Sequence, residues 1–407
     1  MNPEPEPALS EVVDPPLYLD VCATTPLLEV AQQAMADAQR VAWANPSSLH
    51  GFGLAAGEVL ERSRLQLAAC LGTTAASVLF CSGATESVHL ALLGAAAALP
   101  PGRLLISAVE HPAVAAAARQ LEQQGWQLAT IPVDPSGRVD LMALQQLLAP
   151  PTRLVSVIWA QSEIGTVQPI ETIGQLCREA GVLFHTDAVQ WAPHGPIRFD
   201  QAPIDLLTLT AHKLGGPRGI GALLRRPELP LGAQLGGGPQ ELGLRAGTEP
   251  VPLVAGFAAA LQASVKGHQD GQVERIRAQR DRLLETLLRI PQLSLSGADP
   301  SPQTRLPHHI SLVVRDVAGR PVPGRMLVRA LWDRGIAASS GSACRSGGAT
   351  LGPSPVLQAL GHDAAAAAAG LRLSLGSDLS ERQLARVPDA LVEAIACCSS
   401  PSPQASA

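Results

Sequence analysis

The chain has 407 residues, a formal net charge of −5 and 16% charged residues, which at about 150 residues per domain is enough for two or three globular domains with a sizeable core. The mild negative charge, with no basic block and no arginine stripe interleaved with aromatics, argues against a nucleic-acid partner. The most apolar windows, LALLGAAAAL and VPLVAGFAAALQASV, fall short of the roughly 18 residues that a membrane span needs and read as core helices.

From the N-terminus, residues 1–16 (MNPEPEPALSEVVDPP) are acidic and proline-rich with neither a basic nor an apolar signal segment, so a flexible arm and a soluble, cytoplasmic protein are expected. Between about residues 75 and 225, short β-type runs (SVLF, RLLIS, QLATIPV, RLVSVIWA, GVLFH, DLLTLT, GIGALLRR) alternate with helical stretches near 85–98, 113–124 and 170–180. This alternation predicts an α/β fold, a mostly parallel seven-stranded sheet covered on both faces. The large domain is drawn over 17–265, its first residues packing on the small one. A helical region over 251–290 leads into a smaller α+β domain over 266–396, with strands near HISLVV and LRLSLG and helices near 325–334, 354–360 and 380–396. Residues 397–407 read as a flexible tail. No internal repeat is visible.

In parallel α/β sheets, ligands sit beyond the carboxyl ends of the strands. Three such ends here carry chemistry. In LFCSGATESVHLALLG a strand runs into Gly83, Ala84 and Thr85 and then a helix, which offers backbone N–H groups and a positive helix end to a phosphate; an ordinary N-cap has the same look. In GVLFHTDAVQ a strand ends in Asp187, with Gln190 three residues on. A carboxylate there suits a protonated pyridine nitrogen and the amide a ring oxygen, although helix capping by Asp187 explains the pattern equally well. In DLLTLTAHKLGGPRG a strand delivers Thr210, His212 and Lys213 to a glycine-rich turn.

Lys213 stands out because only two of the thirty basic residues are lysine, the other being Lys266 in a polar segment. Arginine keeps its proton in proteins, whereas a lysine amine can form a Schiff base. Phosphate cradle, carboxylate and lysine together point to pyridoxal 5′-phosphate. Further along, ASSGSACRSGG (338–348) sets Cys344 among small residues that give it little to pack against, next to Arg345. The seven cysteines show no zinc-type spacing, and reduced thiols are expected. Cys397 and Cys398 read as a helix end.

These residues carry a resemblance to fold-type I, class V aminotransferase-like enzymes, specifically the NifS/IscS-type cysteine desulfurases. It runs from YLDVCATTP to LRLSLG through NPSSLHGFG, SGATES, EHPAV, SEIGTVQPI, HTDAVQ, AHKLGGPRGIGAL, LRAGTE and SSGSAC. The resemblance implies a homodimer binding pyridoxal phosphate in the large domain. Lys213 would be the Schiff-base lysine, Asp187 the partner of the pyridine nitrogen and Gln190 that of the ring hydroxyl. His111 would stack on the ring and take part in proton transfer. Ala84, Thr85, Thr210 and His212 would hold the phosphate, with Thr248 reaching across from the second subunit, and Arg372 would grip the substrate carboxylate. Without the resemblance, His111 reads as a strand end and Arg372 as a surface or interface arginine.

The implied reaction converts L-cysteine to L-alanine, leaves a persulfide on Cys344 and passes the sulfur to an acceptor protein. That acceptor would be an iron–sulfur scaffold, a tRNA-thiolation relay or a cofactor pathway. The chain departs from the family pattern at Gln161 and Ser162, where relatives carry an Asn pair near the ring oxygen, at His89, and at Leu242, where an arginine is usual. The rival readings are another class V pyridoxal enzyme, such as a selenocysteine or cystine lyase or a transaminase, and a weakly active or non-catalytic paralogue.

Overall fold

The computed structural model describes residues 15–341 and 352–399. The chain opens with strand β1 (Leu17–Tyr18) and helices α1 (Glu29–Val41) and α2 (Gly51–Cys70). It continues through β2 (Val78–Cys81), α3 (Ala84–Ala97), β3 (Arg103–Ser107), α4 (Pro112–Gln123), β4 (Gln127–Ile131), α5 (Leu141–Leu147), β5 (Thr152–Ser156), α6 (Ile170–Glu179), β6 (Leu183–Asp187), β7 (Leu206–Thr210) and β8 (Gly221–Arg225). Helices α7 (Val251–Gln269) and α8 (Gln272–Leu287) lead to β9 (Leu293–Leu295), β10 (His309–Val314), α9 (Gly324–Trp332) and β11 (Ile336–Ala337). The described chain ends with α10 (Pro355–Ala359), α11 (Ala364–Ala367), β12 (Gly370–Ser374), α12 (Glu381–Ala385) and α13 (Val387–Ser399).

The main sheet has the order β2-β8-β7-β6-β5-β3-β4, and its strands are parallel except for β8, which runs antiparallel to both neighbours. Two successive reversals cancel, so β2 points the same way as β7, and the carboxyl ends of β2, β3, β5, β6 and β7 share one edge. Strands β2, β7 and β8 are buried at every residue, because helices cover both faces. On one face Leu67, Phe80, Phe184, Leu207, Val254 and Phe257 form a core under α1, α2, α6 and α7. On the other, Val88, Leu92, Leu104, Leu121 and Leu223 pack under α3 and α4. Helix α6 buries Ile170, Ile173, Gly174 and Cys177, the i, i+3, i+4, i+7 stripe of a one-sided helix. Helix α3 is apolar nearly all round, since it lies between the sheet and α4.

A second core gathers Leu17, Leu19, Ile310, Leu312, Leu327, Leu371, Leu373 and Leu391 around the three-stranded antiparallel sheet β12-β10-β9. Strand β1 pairs in parallel with β11 and so packs in this core.

Four boundaries differ from the sequence reading. The helical region 251–290 is two helices, broken where Gly271 takes a left-handed φ of 73°. The domain limit drawn at 265/266 falls inside α7, which packs as one unit against α1 and α2. The expected tail from 397 is helical as far as Ser399, with Cys397 exposed and Cys398 partly buried against the second core; the helix predicted over 380–396 divides at Arg386. Among the described residues no helix is long and apolar enough to cross a membrane, and no cluster of three His, Cys, Asp or Glu could hold a metal.

Candidate active site

The strand ends of the main sheet open into a cavity of about 470 Å³. It is lined by Ala84, Thr85, His111, Asp187, Gln190, Thr210, His212, Lys213 and Arg372, nine of the residues singled out from sequence. Thr248 is exposed and lies outside this cavity. Cys344 and Arg345 lie outside the described residues.

At the β2 end, α3 starts at Ala84 with no side chain capping its N-terminus. The first-turn N–H groups therefore face the cavity beside Thr85, as an anion site requires. Gly221, opening β8, allows this turn to sit close: a Cβ there would lie 2.6 Å from the Leu209 carbonyl oxygen and 2.8 Å from the Gly83 carbonyl carbon. Positive charge converges from Lys213 and Arg218. Burial, with these two cations, pushes the His212 imidazole down to about 4, so its neutral ring serves as a hydrogen-bond partner, 3.2 Å from Thr24 Oγ1.

Asp187 ends β6, and its Oδ1 accepts the Val189 N–H at 3.0 Å. Burial raises its carboxyl above the usual carboxylate range, while His111 and Lys213 draw it back. A protonated ring nitrogen beside it would offset that desolvation. Behind Asp187 the sheet is wired by buried polar contacts: Ser156 Oγ and Thr208 Oγ1 lie 2.9 and 3.0 Å from the two nitrogens of His185, which burial holds neutral at about 3. His111 N-caps α4 ahead of Pro112, and its Nδ1 accepts the Ala113 N–H at 3.2 Å. The neutral ring therefore carries its proton on Nε2.

Lys213 follows β7 in a tight turn, Ala211–Lys213, and its Nζ donates to the carbonyls of Cys22 (2.5 Å) and Ala23 (2.7 Å). Gln190 Nε2 donates to the same Cys22 oxygen at 2.9 Å. Cys22 is held in turn by Ser374 Oγ, which accepts its N–H at 3.0 Å, and its thiol lies 3.1 Å from His308 Nε2. Arg372 projects from β12 and donates to Asp20 Oδ1 (2.6 Å) and to the Ser162 carbonyl (3.0 Å). The segment from Asp20 to Thr25 is thus a strap across the cavity mouth, holding the second core's arginine at one point and the main sheet's lysine at another.

The sequence reading gave no role to Asp20, Cys22 or Glu110. Asp20 and Cys22 sit in the motif YLDVCATTP, but their long-range partners lie from 168 to 352 positions away in the chain. The departures from the family pattern fall in different places. Ser162 lines the cavity but acts through its carbonyl, which any residue supplies, and Gln161 turns inward, where its Oε1 accepts the N–H groups of Glu163 and Ile164. Leu242 is 66% exposed, away from the cavity, with a left-handed φ of 60°. The neighbouring Glu241 is buried in a two-point pair with Arg64, both bonds 2.8 Å. His89 is half-buried and does not line the cavity, its ring bonded to the Thr85 carbonyl within its own helix.

The class-V aminotransferase family model matches residues 17–387. The chain belongs to this family. Its members are pyridoxal-phosphate enzymes, and the uncapped helix start, the buried carboxylate and the strand-end lysine fit that group. A cysteine desulfurase of Gluconacetobacter diazotrophicus is 39% identical over 385 residues, covering 93% of each chain. Among solved structures, a NifS-like protein superposes with a TM-score of 0.83 at 28% identity, covering 94% of this chain and 99% of the other. SspA in complex with cysteine superposes with a TM-score of 0.75 at 31% identity over 88% of this chain and 98% of that one.

Proposed function

We propose that the chain is a cysteine desulfurase, converting L-cysteine to L-alanine and collecting the sulfur as a persulfide on Cys344. The observation that carries this reading is the convergence of Lys213, Asp187, His111 and Arg372 on one cavity. Pyridoxal phosphate, when bound, supplies the electron sink that acidifies the substrate's Cα–H and labilises its Cβ–sulfur bond.

The chain's own residues have separate tasks. Ala84, Thr85, Thr210 and His212 hold the phosphate, and Asp187 keeps a positive charge on the ring nitrogen. Arg372 binds the substrate carboxylate in a two-point clamp, for which Asp20 keeps the guanidinium oriented. Lys213 and His111 move protons, Lys213 at Nζ and His111 at Nε2. Cys344 attacks the substrate sulfur: the Cβ–S bond breaks, an S–S bond forms at Cys344, and Cβ takes up a proton. No external oxidant is needed.

Cys344 is five positions beyond Ser339, whose N–H and carbonyl both pair with the backbone of Arg372, at 3.1 and 2.7 Å. Five residues span at most about 17 Å, which bounds the reach of the Cys344 thiol from Ser339. Gly341 has a φ of 112°, and a Cβ there would lie 2.6 Å from Glu163 Oε1, next to the cavity-lining Ser162. The persulfide would then go to an acceptor protein.

A homodimer completes the proposal, with Thr248 serving the partner's cofactor phosphate. Its support is an exposed apolar patch of Trp43, Leu49, Phe52 and Leu54, between 59% and 91% exposed.

The test is to incubate the purified chain with L-cysteine, measure alanine and sulfide, and weigh the Cys344 peptide. A mass gain of one sulfur on Cys344, absent in Cys344→Ser, is the expected result. Wild-type sulfur delivery to an acceptor by Cys344→Ser would overturn the carrier role, and a colourless chain that cannot be loaded would favour a non-catalytic paralogue.

A further inference from the structure

Glu110 is a buried acid that the proposed chemistry leaves unused. It precedes His111 in the turn between β3 and α4. Its Oε1 accepts two hydrogen bonds, one from Ser107 Oγ at 2.5 Å, at the end of β3, and one from the Ile158 N–H at 2.8 Å, just beyond β5. Its Oε2 is buried and has no hydrogen-bond partner among the described residues. Ile158 and His111 both line the cavity, so the carboxyl joins two pieces of its wall from behind. The same turn buries Val109 completely in a small core with Ile158, Ile164 and Leu357.

We propose that Glu110 is a positioning residue: its carboxyl ties the turn that carries His111 to the end of β5 and so fixes where the His111 ring stands over the cavity. The inference rests on the proposed desulfurase reaction and deepens it. His111 is held at one nitrogen by its own helix cap, but that cap moves with α4 and cannot set the distance between α4 and the sheet. The Glu110–Ile158 bond spans that gap and is a direct hydrogen-bonded link between the wall at His111 and the wall at β5.

Burial, and the nearby Asp187, push the Glu110 carboxyl up to about 8. At neutral pH it is therefore a protonated acid, which can tie the turn without adding a second negative charge beside Asp187. Glutamine keeps the accepting oxygen and the neutral form, whereas alanine removes both.

The experiment uses the full-length chain before and after loading with pyridoxal phosphate. In the unloaded chain, Glu110→Ala is expected to shift and broaden the His111 ring resonances, and Glu110→Gln to leave them in place. In the loaded chain, Glu110→Ala is expected to lower kcat for alanine formation from L-cysteine by about 10- to 100-fold, with KM changed less than about twofold. Glu110→Gln is expected to restore most of that loss. Ser107→Ala, which removes one donor and leaves the acid, should fall between wild type and Glu110→Ala.

Unmoved His111 resonances in Glu110→Ala, or a Gln variant as impaired as the Ala variant, would overturn the proposal. If wild type makes no alanine from cysteine, the desulfurase reading fails instead, and the resonances of the unloaded chain still decide the role of Glu110.

Discussion

The two sheets contribute to the cavity in opposite ways. The seven-stranded sheet brings Asp187, Thr210 and Lys213 to one edge by register alone, since parallel strands end together and each tip is fixed by buried neighbours on both sides. The three-stranded sheet contributes Arg372, from the middle of β12, and its guanidinium is 2% exposed with its charge answered across the cavity by Asp20. The lesson is that the chemical groups are built into the sheet, whereas the substrate clamp depends on the strap from Asp20 to Thr25 that joins the two cores.

The largest expected effect breaks the sheet's side of this comparison. Lys213→Ala should abolish the visible absorption of bound pyridoxal phosphate and cut alanine formation by at least about a thousandfold, with the fold retained by circular dichroism. On the other side, Arg372→Lys keeps the charge but loses the planar fork. KM for L-cysteine should rise roughly 10- to 100-fold while cofactor absorption stays intact; a KM near wild type would place the carboxylate elsewhere.

Asp20→Asn tests the strap. It leaves the buried guanidinium without its counter-charge, so a stability loss of about 1.5–3 kcal/mol by urea unfolding is expected, together with a raised KM. Equal KM values for the variant and wild type would mean that the strap does not orient Arg372.

The last effect is one of pH. Glu110 has a folded-state value of about 8 against 4.5 for the ordinary carboxyl. A raised value means that its stabilising contribution is complete below about 4.5 and is lost as the pH rises to 8, at a limit of about 1.4 kcal/mol per pH unit. Glu110→Gln should flatten this part of the stability curve, measured as urea midpoints from pH 5 to 8.

Local pattern determined much of this protein. The seven β-type runs between 75 and 225 all form strands of one sheet, because most of them are buried on both faces and read as apolar runs separated by helical ones, the edge strand β4 being the more exposed exception. The strand-tip residues were legible for the same reason: a polar residue ending an apolar strand is displayed at the sheet edge. The rarity of lysine marked Lys213 without any knowledge of fold.

What the sequence left open is long-range. Ser162 contributes a carbonyl contact to Arg372, which residue identity does not encode. Leu242 is exposed on this chain, away from the cavity. Asp20, Cys22 and Glu110 gain their partners only when segments far apart in the chain fold together, as Asp20 and Arg372 do over 352 positions. Periodicity and capping are local energies that short segments already express. Strand-tip convergence follows from register within the main sheet and the strap from contacts between the two cores, neither of which a single segment contains.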